Sequence, residues 1–154
     1  MELLKSLSAA EKKKIRKAVE GELERYRIYK TTALVRREVQ STPSYEPRYH
    51  GPTNKRSDQT ARAAIFNVEE ERKREGFCNL IDQAVGSLPE KERFLIEQRY
   101  IGKDSEYISD CKLYSFIFDP PISEPTYSKI RNRAIIKLAL SLGIIDFNGE
   151  VSIT

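Results

Sequence analysis

The side chains best suited to grip a charged polymer lie near the C-terminus. Thr126, Ser128, Lys129, Arg131, Asn132, Arg133 and Lys137 all fall within residues 125–140, a stretch that carries no acid. Each type has an elementary role against duplex DNA. Lys and Arg bind phosphate oxygens and guanine edges, Asn pairs with adenine, and Ser and Thr hydroxyls reach phosphate oxygens. These seven are the candidate DNA-binding residues, and double-stranded DNA is the expected partner.

Other chemistries have little to work with. His50 is the only histidine, and Cys78 and Cys111 are the only cysteines. That inventory excludes a His triad around a metal, a four-cysteine zinc site and a disulfide scaffold. The seven glycines never form a phosphate-cradling loop. Asp104, Glu106, Asp110 and Asp119 are the acids a metal nuclease would need to converge. They stand near expected helix starts, where capping already accounts for them. The acidic run Glu69-Glu70-Glu71 reads as a solvated helix face. No enzyme activity, cofactor or metal is expected.

These residues need a scaffold, and the sequence reads as an all-α one. Ser8-Ala9-Ala10-Glu11 has the form of a capping box, with the Ser oxygen taking an amide proton and the Glu reaching back. Behind it Ile15, Val19, Leu23 and Tyr26 share one face of an amphipathic helix. That helix is expected to reach about Lys30 and at most Val39, with Thr31-Thr32 as its weak point. Residues 41–57 hold Pro43, Pro47 and Pro52 and read as a Pro-rich linker, which Tyr45 and Tyr49 would pin by their rings. Ser57 or Asp58 should start the next helix. Its stripe is Ala61, Ile65, Val68 and Arg72, then Phe77, Leu80, Ile81, Ala84, Val85 and Leu88.

Three shorter helices should follow. Ser87-Leu88-Pro89-Glu90 looks like a second capping box, with proline in the first turn. Phe94, Leu95, Gln98 and Ile101 mark the inner face of the helix it opens, and Gly102 closes it. Asp110 would cap a helix over 111–118 facing Leu113, Tyr114, Ile117 and Phe118 inward, although LYSFIF has a strand-like composition. Asp119-Pro120-Pro121 forces a break. Ser123, Glu124 and Pro125 then open the last helix, whose apolar face is Tyr127, Ile130, Ala134, Leu138 and Leu142. Gly143 ends it. The expected organisation is an N-terminal helical arm at 1–40, the linker at 41–57, a helical domain at 58–143 and a tail at 144–154. Within that domain, residues 88–143 have the order of a tri-helical helix-turn-helix unit, whose last helix enters the major groove.

Charge agrees with an anionic partner. The chain has 27 Lys and Arg against 23 Asp and Glu, and residues 1–60 hold 14 basic and 8 acidic residues. The basic N-terminal helix is therefore expected to act as a second electrostatic arm. Neutralising about six phosphates would cut affinity on the order of 10³-fold between 50 and 200 mM salt. Met1–Ala10 lacks a cationic segment ahead of an apolar core, and no apolar run approaches the length needed to span a bilayer. No membrane is expected, and a reducing cytosol is the expected compartment. A homodimer is one expected state, through either the Ser8 helix or the Asp58–Val85 helix.

Specific residues also carry a family resemblance. LPEKERFLIEQRYIG (Leu88–Gly102) resembles the opening helix of the region-4 helix-turn-helix of sigma factors, and SEPTYSKIRNRAIIKL (Ser123–Leu138) resembles its recognition helix. Glu24-Arg25-Tyr26-Arg27-Ile28-Tyr29, Pro43-Ser44-Tyr45 and the ending Thr126–Ile144 are similar to the ArpU family of phage transcriptional regulators. Where such turns usually carry a glycine, Asp119-Pro120-Pro121-Ile122 stands here. The resemblance implies a phage- or prophage-encoded, DNA-binding regulator of late genes with no cofactor and no catalysis. The alternative it leaves open is a sigma-like module that docks on RNA polymerase with little DNA specificity of its own.

Overall fold

The computed structural model describes residues 3–32, 34–36, 55–147, 150 and 152. Every regular element among them is helical: α1 (Leu3–Ser6), α2 (Ala9–Thr31), α3 (Lys55–Gly86), α4 (Glu90–Ile96), α5 (Asp110–Lys112) and α6 (Glu124–Ser141). α4 and α5 each run on into a wide π-type turn, Glu97–Ile101 and Leu113–Ile117, and a 3-10 turn spans Ser105–Tyr107. The fold class is all-α. The expected linker contacts of Tyr45 and Tyr49, and any extension of α2 to Val39, fall outside the described residues.

The chain forms two compact units, one of Met1–Thr32 with Phe77–Thr154 and the other of Ala33–Gly76. This differs from the arm, linker and domain expected from the sequence. α2 is not an arm. Ile15, Val19 and Leu23 have no solvent exposure, and α2 packs against α6 and the 97–101 turn. An apolar stripe of that length cannot stay in water when a partner face is available in the same chain. Ser8 caps α2 as expected: its Oγ accepts from the Glu11 N–H at 3.2 Å, and the Ser8 N–H donates to the Glu11 carboxylate at 2.7 Å. The helix ends at Thr31, where the Thr31 and Thr32 hydroxyls bond back to the carbonyls of Arg27 and Ile28.

In the smaller unit, Arg36 binds Glu71 at 2.7 Å, and Ile65 and Val68 are exposed. α3 already begins at Lys55, so residues 55–57 are helical and not linker. In the larger unit α3 contributes Cys78, Ile81, Ala84 and Val85 to the core, while Leu80, expected inside, is half exposed.

Two local expectations are corrected at the next helices. Pro89, not Ser87, occupies the N-cap of α4, and no side chain caps it. The Ser87 hydroxyl instead donates to the Ala84 carbonyl at 2.7 Å, closing the end of α3. Asp110 does not cap its own helix either. Ser109 does, accepting from the Lys112 N–H. Between these helices Gly102 is required by space: its N–H bonds the Glu97 carbonyl at 2.8 Å, and a Cβ there would stand 2.9 Å from that oxygen.

The segment 110–117 is helical and not a strand, with Leu113 and Phe118 buried. The break follows, with a cis bond at Asp119–Pro120 and the Ile122 N–H bonded to the Tyr114 carbonyl. α6 begins under the Ser123 cap and ends in a Schellman motif. There Gly143 takes φ 68° and the Ile144 N–H reaches the Ala139 carbonyl at 2.9 Å. After it the tail folds back, with the Ser152 N–H on the Ile144 carbonyl.

Candidate nucleic-acid interface

α6 is held between two neighbours, α2 and α4. This explains why its burial changes along its length. Ala134, Ile135, Ile136, Leu138 and Ala139 are all buried, so the C-terminal half is enclosed on most sides. The N-terminal half buries Tyr127 and half-buries Ile130, and it leaves Pro125, Thr126, Lys129, Asn132 and Arg133 exposed. At 100° per residue, Lys129, Asn132 and Arg133 form one strip on that outer face.

The seven candidate residues therefore divide. Lys129, Asn132 and Arg133 are exposed, and the ion pairs formed among the described residues, Arg131–Asp110 and Lys137–Glu92 on this helix, include neither Lys129 nor Arg133. Thr126 is exposed beside the cap, its hydroxyl 2.9 Å from that of Ser123. Ser128 is half-buried. Arg131 turns away from solvent, Lys137 stays a third exposed, and both are neutralised within the chain. Arg131 is 13% exposed and binds Asp110 at 2.7 Å, its guanidinium 5.5 Å from the Tyr127 ring centroid. Lys137 bonds both carboxylate oxygens of buried Glu92 at 2.8 Å, tying α6 to α4.

Asp110 is the hub beneath the exposed face. Its carboxylate accepts from Arg99 at 2.7 Å, Arg131 at 2.7 Å and the Tyr127 hydroxyl at 2.8 Å. Burial pushes the Asp110 carboxyl up, but the bonds from Arg99 and Tyr127 and the two guanidinium charges outweigh it and hold it below its ordinary value. The Tyr127 hydroxyl is pushed well above its usual value by burial, then by its bond to Asp110. A second polar link, Tyr100 to Glu20 at 2.9 Å, joins the 97–101 turn to α2. Burial and the Glu20 charge raise the Tyr100 hydroxyl to about 12. Arg27 of α2 binds Glu106 at 2.8 Å.

The acids that a metal nuclease would use are thus engaged at Asp110 and Glu106. No group of three or more His, Cys, Asp or Glu among the described residues is placed to hold a metal. No described helix is long and apolar enough to cross a membrane. Asp110 and Glu92 could not be recognised as partners of α6 from the sequence, because each lies far from its cation in the chain. Nor did it show that Lys12 and Arg16 of α2 meet Asn132, Ile135 and Ile136 in one shallow depression. Of the two helices offered for a dimer, α2 buries its apolar stripe, whereas Ile65 and Val68 of α3 remain exposed.

The chain is similar to the "Uncharacterized phage-related protein Lin1259/Lin1739" of Listeria innocua serovar 6a (strain ATCC BAA-680 / CLIP 11262). The two are 26% identical over 139 residues, 90% of this chain and 84% of the relative. A distant homologue is thus phage-related. No protein-family model matches the chain, and no solved structure matches it.

Proposed function

We propose that the protein is a DNA-binding transcriptional regulator of a phage or prophage, of the ArpU type, whose α6 enters the major groove. One observation carries this reading most. The exposed strip of α6 is confined to its N-terminal half, holds Lys129, Asn132 and Arg133 without internal acidic partners, and sits on a helix clamped along its C-terminal half. A recognition helix needs that arrangement: rigid support behind, free donors in front. The phage-related homologue supports the setting. In this reading Thr126, Lys129, Asn132 and Arg133 contact DNA, while Arg131 and Lys137 hold α6 in place. The short loop ahead of α6 and the helices before it supply the helix-turn-helix.

The test is fluorescence-anisotropy titration of DNA from upstream of the neighbouring operon against scrambled DNA at two salt concentrations. Tight, salt-sensitive binding that prefers the upstream DNA is expected. Binding that ignores salt refutes the reading.

The second reading, docking on RNA polymerase, has an observation of its own. Phe94, Ile117 and Phe118 line an open cleft of about 400 Å³ beside Glu90 and Lys91, and nearby Phe116 is 81% exposed. Co-purification with polymerase from nuclease-treated lysate, lost in Phe116→Ser, would favour it.

A further inference from the structure

The exposed strip of α6 does not end in open solvent. Along its line lie Lys129, then Asn132 and Arg133, then Ile136, and Ile136 is 2% exposed. Ile136 lies in the depression whose other walls are Lys12 and Arg16 of α2, with Asn132 at the rim. The first turns of α2 therefore stand beside the strip as a fixed wall. α2 is seated there by Ile15 and Val19, both fully buried in the same unit.

That wall is cationic. Lys13 is exposed and Lys12 half-buried, and neither has an acidic partner among the described residues. The nearby acids are turned elsewhere. Glu11 folds back to the Ser8 N–H, and Glu20 takes Arg16 at 2.8 Å and the Tyr100 hydroxyl at 2.9 Å. Arg16 is thereby engaged, which leaves as free charges on that side Lys12 and, about 60° around the helix from Arg16, Lys13.

The dimensions of a duplex make this juxtaposition consequential. The exposed part of α6, residues 124–133, is about 15 Å long at 1.5 Å per residue. The major groove is about 12 Å wide and walled by phosphates on both sides. A groove seated on the Lys129–Arg133 strip brings one phosphate wall over the Asn132 side of α6, where α2 begins. We propose that Lys12 and Lys13 form a second, rigidly placed phosphate-binding edge, so that the DNA-facing surface is α6 and the first turns of α2 together. This rests on the DNA-binding reading above and gives the second electrostatic arm expected from the sequence a fixed place.

The experiment compares salt dependence in the full chain. Binding to upstream and scrambled duplexes is measured from 50 to 200 mM salt for the parent, Lys12→Gln/Lys13→Gln and Lys14→Gln. Lys14 is two residues from both Lys12 and Arg16, hence about 200° around the helix from each. Circular dichroism checks that all three fold alike. Two lost phosphate contacts should lower the slope of log affinity against log salt by about 1.8. The gap between parent and double variant then widens about 12-fold as salt falls from 200 to 50 mM. The loss should be equal on both duplexes, since phosphate contacts carry no sequence information. Lys14→Gln should leave the slope unchanged. A parent that binds DNA while the double variant keeps its slope overturns this inference and spares the DNA-binding reading. A Lys14→Gln effect as large as one lysine of the pair also overturns it, since the charge would then act without regard to place. A parent that binds neither duplex removes the DNA-binding reading itself.

Discussion

Asp110→Asn tests whether the hub beneath α6 is what holds the helix in place. The side chain accepts from two guanidinium groups at 2.7 Å and from a hydroxyl at 2.8 Å. A hydrogen bond to a charged group contributes about 1.5–3 kcal/mol. Breaking a buried ion pair by neutralising one partner costs about 3–5 kcal/mol, because the remaining charge is left uncompensated. Arg131, at 13% exposure, is in that position, but the Asp110 carboxylate is 34% exposed and water recovers part of the loss. Asparagine also keeps one acceptor oxygen. The expected cost is about 2–3 kcal/mol, read as a lower urea midpoint at pH 7 with an unchanged m-value. The pH dependence gives an independent check. A carboxyl held below its ordinary value stabilises the fold above its unfolded pKa, near 3.9, and that contribution is lost as pH falls through the folded value. The parent should therefore lose stability on the acid side more steeply than the variant. A cost under about 0.5 kcal/mol, with superimposable acid limbs, would refute the reasoning.

Three further outcomes follow from the same structure. Gly102→Ala should destabilise by about 1–3 kcal/mol, as overpacking does, because its Cβ would press on the Glu97 carbonyl at 2.9 Å; thermal unfolding measures it. Ser123→Ala should cost about 0.5–1 kcal/mol in urea unfolding, the low end for an N-cap, since the bond to the Thr126 N–H is long at 3.4 Å. Arg133→Ala should weaken DNA binding by about 1–3 kcal/mol if it reads a base edge and leave the urea midpoint within about 0.5 kcal/mol, as expected of an exposed residue.

The parts of the fold legible in the sequence are those fixed by neighbours within a turn or two. The Ser8 capping box, the Ser123 cap and the glycine at 143 depend on bonds spanning three to five residues, so spacing alone exposes them. The stripe Ile15, Val19, Leu23 and Tyr26 was equally plain, because one face of a helix must be covered. What covers it was not. α2 docks on α6 across more than a hundred residues of chain, and nothing in the period of α2 names its partner. The same holds for the ion pairs. Arg131 meets Asp110 21 residues away, and Lys137 meets Glu92 45 residues away. A cation on a helix looks alike in sequence whether it faces water or a buried carboxylate. Ser87 and Asp110 failed as caps for different reasons: the Ser87 hydroxyl closes the end of α3 on the Ala84 carbonyl, whereas at Asp110 two cap-competent residues stood side by side and tertiary demands decided between them. Asp110 was drawn to the two arginines, and Ser109 took over the cap.

That division of cations sets a number for the interface. Counting every base on α6 and adding an N-terminal arm led to about six neutralised phosphates and a loss near 10³-fold from 50 to 200 mM salt. With Arg131 and Lys137 paired inside the chain, the face formed by α6 and α2 retains four free cations: Lys12, Lys13, Lys129 and Arg133. Four contacts give a slope near −3.6 per protomer, or about a 150-fold loss over the same salt range. A slope near −5.4 would mean that Arg131 and Lys137 leave Asp110 and Glu92 when DNA binds. In that case the clamp under α6 would open on binding, and Asp110→Asn, by freeing Arg131 beforehand, would tighten DNA binding while weakening the fold. A slope near −3.6, with DNA affinity no tighter in Asp110→Asn, would show that the two pairs stay closed and that α6 meets DNA as a preformed, rigid surface.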